Sequence, residues 1–293
     1  MGVRKLKTLL PTDFDFELEE VKFHSRDDHH GYRIDLEDQS QLEESQTKLV
    51  RLHEKSDKKI PKLVFPEFSP IENQGGQGAC QGHANSTGGE QCRVRAGGEQ
   101  IQLSRACGYY ETQRIDGIRG DRGSTISGGV RLLETAGICT EEAWPYPSYY
   151  NPRRPPGFSN TTRYKIDGHV MLRDFDKMID WVAFKGPIEI GITWSGDIDQ
   201  QVGRDGIVKT YSGRGGGGHA VLFSGLTHED WRGDPLPGNE PGLILDNSWS
   251  RRWGFKGRCI VLRRAIEQML RVRFNVFAGL YGAATPSLEP PVF

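Results

Sequence analysis

The sequence predicts an α+β protein whose helices and strands are segregated into two lobes. Three observations carry that expectation. Helical signals come first along the chain and short, β-branched strands come later, an order that builds two packed regions and not an alternating α/β sheet. The 293 residues suffice for one large domain or two lobes of ordinary size. Apolar residues make up only 35% of the chain while glycine numbers 37, which fits a loop-rich fold with modest cores.

Residues 1–60 form a charged N-terminal extension, with Ser25-Arg26-Asp27-Asp28-His29-His30 and Leu42-Glu43-Glu44-Ser45-Gln46. A helix is expected over residues 40–55, with Leu42, Leu49 and Leu52 near one face. The extension reads as a prosegment, a docking arm or a small accessory module. His24, His29 and His30 within it read as a solvated polar stretch, not as metal ligands. Residues 61–163 are expected to form a helical lobe. Its first helix opens near Cys80 and runs on through residues 84–94, weakened by Gly88-Gly89. The second spans residues 103–114 with Ser104 as N-cap. The third spans residues 125–135 and is ended by Gly137. Residues 164–293 are expected to form a β-rich lobe. Its strands cover residues 164–172, 188–194, 220–226, 243–246 and 259–262, separated by Gly/Pro turns, with a helix over 174–184. Residues 227–242 contain Asp234-Pro235-Leu236-Pro237 and read as a polar loop inserted between two strands.

Composition excludes several classes of function. A formal net charge of −1 leaves no basic footprint for nucleic acid. No apolar run is long enough to span a membrane or to serve as the core of a signal peptide. The five cysteines are odd in number and include no CxxC pair, so no structural zinc is expected, and no other metal or cofactor either. Single cysteines without a secretory leader suggest a reducing compartment: the cytoplasm or a virus or phage particle, not classical secretion. Cys92, Cys107, Cys139 and Cys259 are expected as small buried apolar side chains.

Cys80 differs from them. It follows Asn73-Gln74-Gly75-Gly76-Gln77-Gly78-Ala79 and would open a helix, where backbone N–H groups and the positive dipole end favour a thiolate. Far downstream come Gly218-His219-Ala220-Val221 and Asp246-Asn247-Ser248-Trp249. Together these segments supply a thiol, a base, an orienting amide and an oxyanion donor. The Gly215-Gly218 run before His219 reads equally as a loop that moves or lets substrate backbone approach and as a flexible strand connector. It is no phosphate loop, since no Gly-Lys-Ser/Thr follows.

These residues resemble the motifs of papain-like cysteine peptidases. Asn73-Gln74-Gly75 with Gly78-Ala79-Cys80 is similar to the nucleophile motif, and Asn247-Ser248-Trp249 with Trp253-Gly254 and Gly257 to the asparagine motif. Leu103-Ser104, Asp121-Arg122-Gly123-Ser124, Trp144-Pro145-Tyr146 and Ala278-Gly279-Leu280-Tyr281 lend support. The resemblance runs from about residue 61 to the C-terminus. It implies a papain-like two-lobe α+β fold, a helical lobe followed by an antiparallel β-barrel-like lobe. It implies hydrolysis of peptide bonds through an acyl-enzyme, with Cys80, His219, Asn247 and Gln74 catalytic. Gly123, Ser124, Gly218, Ala220 and Trp249 would face a protein or peptide substrate, and Trp249 would shield the His219–Asn247 bond. The sequence departs from the family pattern at Gln77, where a disulfide cysteine is common, at Gln81 and His83, where aromatic residues are common, and at Ser124, where glycine is usual. Gln81 and His83 are expected to make the cleft floor more polar, and His83 to pack or hydrogen-bond.

Two other functions fit the sequence. One keeps the triad and turns it on peptidoglycan stem peptides or amides. The other is structural, with the fold serving as a docking part of a larger assembly such as a virus or phage particle. The extension would then dock to an assembly partner, or to its own cleft.

Overall fold

The computed structural model describes Arg33, residues 59–65 and residues 70–287. The helix expected over 40–55 and the three N-terminal histidines lie outside the described residues.

Helix α1 (Cys80–Arg95) is polar in composition, yet every residue from Cys80 to Cys92 is buried. Such a helix is stable only where its polar groups find partners inside. Asn85 Nδ2 donates to Gly129 O at 3.0 Å and Ser86 Oγ to Ser104 O at 3.0 Å. Glu90 meets Arg105, which also donates to Thr87 Oγ1 at 3.1 Å and Leu103 O at 2.6 Å. Gly88-Gly89 does not break the helix. A Cβ at Gly88 would come within 2.6 Å of Leu280 Cδ1, and one at Gly89 within 3.0 Å of Leu103 and Leu133. The missing side chains are what let both lobes close onto α1.

Helices α2 (Arg105–Ile115) and α3 (Ile126–Thr135) pack on α1 and begin as expected. The Ser104 side chain accepts from Cys107 N at 2.9 Å and Thr125 Oγ1 from Gly128 N at 3.0 Å, each satisfying one orphan amide of a first turn.

The second half of the chain supplies most of one eight-stranded sheet. In spatial order it contains β3 (Gly168–Met171), β9 (Val276–Tyr281), β4 (Ile188–Thr193), β6 (Gly218–Thr227), β7 (Gly242–Asp246), β8 (Arg258–Val261) and β5 (Ile207–Val208). Strand β1 (Leu63–Val64) comes from the segment assigned to the helical lobe and also pairs with β6. All pairings in this sheet are antiparallel except β5 with β8. The single strand expected over 164–172 is two, β2 (Arg163–Lys165) and β3, because β2 leaves the main sheet to pair with β10 (Ala284–Ser287).

The central strands are buried on both faces. Ile188, Ile190 and Ile192 of β4 join one core with Val221, Phe223, Leu243 and Leu245. That core is covered by α4 (Phe175–Phe184) and α6 (Arg263–Leu270), through Phe175, Trp181, Ile266 and Met269. Ala220, Val276, Ala278 and Leu280 join the other core with the three N-terminal helices. Helix α1 thus lies against β6, and Cys80 meets the start of that strand. Helix α5 (Gly196–Asp205), α6, β1, β5, β9 and β10 lie outside the elements the sequence predicts. Helix α5 is rich in Asp, Gln and Gly and buries only Ile198 and Val202, so no apolar stripe announces it.

Candidate active site

Two loops bring the site together. The backbone of Gln74 donates to Ser248 O at 2.9 Å, and that of Ser250 to Glu72 O at 3.0 Å. These bonds, with a bridge between Asn73 and Trp249, stitch the segment before α1 to the segment after β7. Gly75, at φ 62°, turns the chain toward Cys80, and Gly78 N is held by Asp121 Oδ1 at 2.8 Å.

Cys80 is the first residue of α1, and Ala79 at the N-cap offers no side-chain acceptor. No acidic residue stands in the first turn of the helix itself, and the helix N-terminus favours a thiolate at the sulfur. The Ala220 amide donates to Cys80 Sγ at 3.4 Å, which sets the thiol beside the residue that follows His219.

His219 Nε2 and Asn247 Oδ1 are 2.8 Å apart. The same Oδ1 accepts from Ser248 N at 2.8 Å. A backbone amide can only donate, so the oxygen assignment of Asn247 follows, and Nε2 must carry the ring proton. Nδ1 is then the basic nitrogen of the neutral ring. Trp249 stacks on His219 with ring centroids 4.6 Å apart and planes at 26°. Trp194 meets it edge-on at 4.9 Å.

Gln74 is held at both ends of its amide. Oε1 accepts from Ser248 Oγ at 2.6 Å and Nε2 donates to Gln77 O at 2.9 Å. Gln74, Cys80, His219 and Asn247 therefore meet at the junction of α1, β6 and the segment after β7, and all four are buried.

The other named positions line this junction in different ways. Gly123 uses its N–H on Tyr109 Oη at 3.2 Å and its carbonyl on Gln113 Nε2 at 3.0 Å. The Ser124 carbonyl accepts from Arg33 N at 3.0 Å. Gly218 opens β6 opposite Thr193. Within the glycine run before it, a Cβ at Gly216 would lie 1.8 Å from Trp194 O, and Gly217 O accepts from Trp194 N at 2.9 Å, while a Cβ at Gly215 would meet nothing within 4 Å.

Gln81 and His83 do not form an exposed cleft floor. Ser124 Oγ donates to Gln81 Oε1 at 2.9 Å, and Gln81 Nε2 to Glu189 Oε1 at 3.2 Å. This buried chain joins the loop before α3, α1 and β4. His83 Nδ1 lies 3.0 Å from Ala79 O, and its ring meets Tyr146 edge-on. Burial, and then the Arg105 charge, lower its pKa to about 3, only partly opposed by the bond to Ala79, so it stays neutral.

The remaining cysteines are buried free thiols. Burial pushes Cys92 up to about 12, and Cys107 and Cys259 rise well above the usual thiol range for the same reason. Such thiols are poor nucleophiles.

A thiol at a helix N-terminus beside an imidazole–amide pair is the arrangement that thiol-dependent acyl transfer requires. Comparison with known proteins fixes the family. Residues 59–278 match the papain family of cysteine proteases, and the chain belongs to that family. It is 25% identical over 212 residues to an uncharacterized peptidase C1-like protein, L477, of Acanthamoeba polyphaga mimivirus. That match covers 67% of this chain and 65% of the relative, so the chain spans just under two thirds of that relative's length. Among solved structures, xylellain, a cysteine protease from Xylella fastidiosa, superposes with a TM-score of 0.63 at 21% identity, covering 89% of this chain and 99% of xylellain. The ragweed pollen allergen Amb a 11, a cysteine protease in its proform, gives a TM-score of 0.60 at 22% identity, covering 81% of this chain and 62% of the allergen. Likeness at these identities concerns the fold.

Proposed function

We propose that this chain hydrolyses peptide bonds through a thioester intermediate formed on Cys80. The observation that carries the reading is the junction itself: a helix-opening thiol set beside a strand whose histidine is oriented by Asn247. In this mechanism His219 Nδ1 takes the Cys80 proton, and Sγ attacks the substrate carbonyl carbon. The oxyanion is met by the Cys80 backbone N–H and by Gln74 Nε2, which has a second proton besides the one given to Gln77 O. As the C–N bond breaks, His219 returns the proton to the leaving amine. Water then attacks the thioester, gives its proton to His219, and releases the acid as the thiol re-forms. Trp249 covers the His219–Asn247 bond, where exclusion of water strengthens it.

On this reading the substrate backbone runs along Gly123 and Ser124 on one wall and Gly218 and Ala220 on the other. The Ser124 side chain is turned inward to Gln81, so that residue offers its carbonyl alone to an extended chain. Residues 61–163 and 164–293 are the two walls, and residues 1–60 are the extension. Arg33 N already donates to Ser124 O, the kind of bond an extended peptide would make there. Cys80 and His219 have no exposed surface, consistent with a covered cleft. The extension is therefore assigned to the protein's own cleft, and the full chain is a latent form.

The test is cleavage of casein by the full chain and by the chain lacking residues 1–58. A rise of about tenfold or more on removal is expected, since a covered site binds substrate only in its rare open state. Equal rates would remove the assignment of the extension. No thiol-dependent cleavage by either form would remove the peptidase reading.

A further inference from the structure

We infer that Asp199 is a positioning residue for His219, acting through the indoles of Trp194 and Trp253. The inference rests on the reading of His219 as the catalytic base.

Asp199 lies in the first turn of α5, where the helix dipole favours a carboxylate. Its Oδ2 accepts from Trp194 Nε1 at 3.0 Å and its Oδ1 from Trp253 Nε1 at 3.0 Å. One side chain thus grips two indoles from separate segments, Trp194 just after β4 and Trp253 in the loop before β8. Both rings belong to the cluster around the imidazole. Trp194 meets His219 at 83°, with centroids 4.9 Å apart. Trp194 also braces Trp249 at 5.2 Å, and Trp253 braces Trp249 at 6.1 Å. Trp249 in turn stacks on His219.

The physical need is clear from the hydrogen bonds. The Nε2–Asn247 bond fixes the tautomer but leaves rotation of the ring about the bond's own axis open. Packing on its faces must fix the plane. An indole held only by van der Waals contact is itself free to tilt, whereas an N–H donated to a carboxylate is a charge-assisted, directional bond. With two such bonds meeting at one carboxylate, Trp194 and Trp253 keep a fixed spacing, and Trp249 and His219 are held between them. Asparagine cannot replace this: it offers one acceptor oxygen, and its amide N–H₂ would face the second indole N–H, donor against donor.

The expected result for Asp199→Asn, and more strongly for Asp199→Ala, is a fall in kcat of about 10- to 100-fold with KM little changed, as for displacement of a reacting group by a fraction of an ångström. In NMR spectra of the full chain, the indole N–H signals of Trp194 and Trp253, assigned through Trp194→Phe and Trp253→Phe, should both move upfield in Asp199→Ala. The His219 ring protons should lose part of the ring-current shift that the Trp249 stack imposes. A merely structural anchor would lower the melting temperature without moving the His219 signals or splitting kcat from KM. Unmoved His219 ring protons in a folded Asp199→Ala would overturn the inference, as would an unchanged kcat. If neither the full chain nor the chain lacking residues 1–58 cleaves peptide, the peptidase reading fails by itself, and the His219 ring shifts still decide whether Asp199 sets the imidazole.

Discussion

Cys80→Ala is expected to abolish peptide hydrolysis, a loss of about 10⁴-fold or more, with the fold intact. In the proposed mechanism the whole reaction passes through Sγ, and no neighbouring group offers a substitute: Cys92, Cys107 and Cys259 are buried with raised pKa values, and His83 is neutral and turned to Ala79 O. The structural cost is small, because the side chain loses one atom and the Ala220 amide loses one long bond to sulfur, about 1 kcal/mol. Gln74→Ala should fall between this variant and the wild type, losing about 10²–10³ in rate, the usual value of one oxyanion donor. Assays of turnover beside urea unfolding separate the two effects. A folded Cys80→Ala with wild-type turnover would end the reading of this thiol as nucleophile.

The largest expected effect on stability comes from Arg105→Ala. Arg105 is 1% exposed and Glu90 3%, and the guanidinium bridges Glu90, Thr87 and Leu103 across α1 and α2. Removing one partner of a buried pair strands the other charge, which costs about 3–5 kcal/mol. Burial already raises the Glu90 pKa above its ordinary 4.5, and the Arg105 charge opposes that rise. Without Arg105 the rise is larger. Between 4.5 and the raised value the folded state binds more protons than the unfolded state, so stability falls as pH rises through that window. Arg105→Ala should therefore be least stable near neutral pH, and its deficit should shrink on acidification to about pH 5. Adding Glu90→Leu should recover part of the loss at neutral pH, because it removes the buried carboxylate left without its cation. Urea unfolding at both pH values checks this, and an equal deficit at both would contradict it.

The candidate site residues stand out in the sequence because each sits in a distinctive local pattern. Cys80 follows small residues at a helix start, and Asn247 precedes Ser248-Trp249. The helix cap at Ser104 was legible for the same reason: a hydroxyl followed by a helical run has a local purpose. Interactions whose purpose is remote from their sequence neighbourhood stayed hidden. In Ile188-Glu189-Ile190-Gly191-Ile192, alternation suggests a wet face at Glu189, yet both faces of β4 are buried and Glu189 meets Gln81 from α1. Gln81 and His83 looked like a polar cleft floor because nothing local reveals that their partners are Ser124, Glu189 and Ala79 O. Gly88-Gly89 looked like a helix weakness because the leucines that need the space lie far along the chain or in other helices. Asp199 carries no motif at all; its meaning comes from two tryptophans that only the fold brings to it.

The central claim is that Cys80 is an activated thiol paired with His219. Limiting iodoacetamide at about pH 5.5, where ordinary thiols near 8.5 are protonated, tests it directly when the labelled residue is mapped by mass spectrometry. The account predicts rapid labelling of Cys80 alone once residues 1–58 are removed, slow labelling in the full chain, and loss of the rapid phase in His219→Ala. A Cys80 that stays unlabelled in both forms, or reacts equally fast without His219, would contradict it.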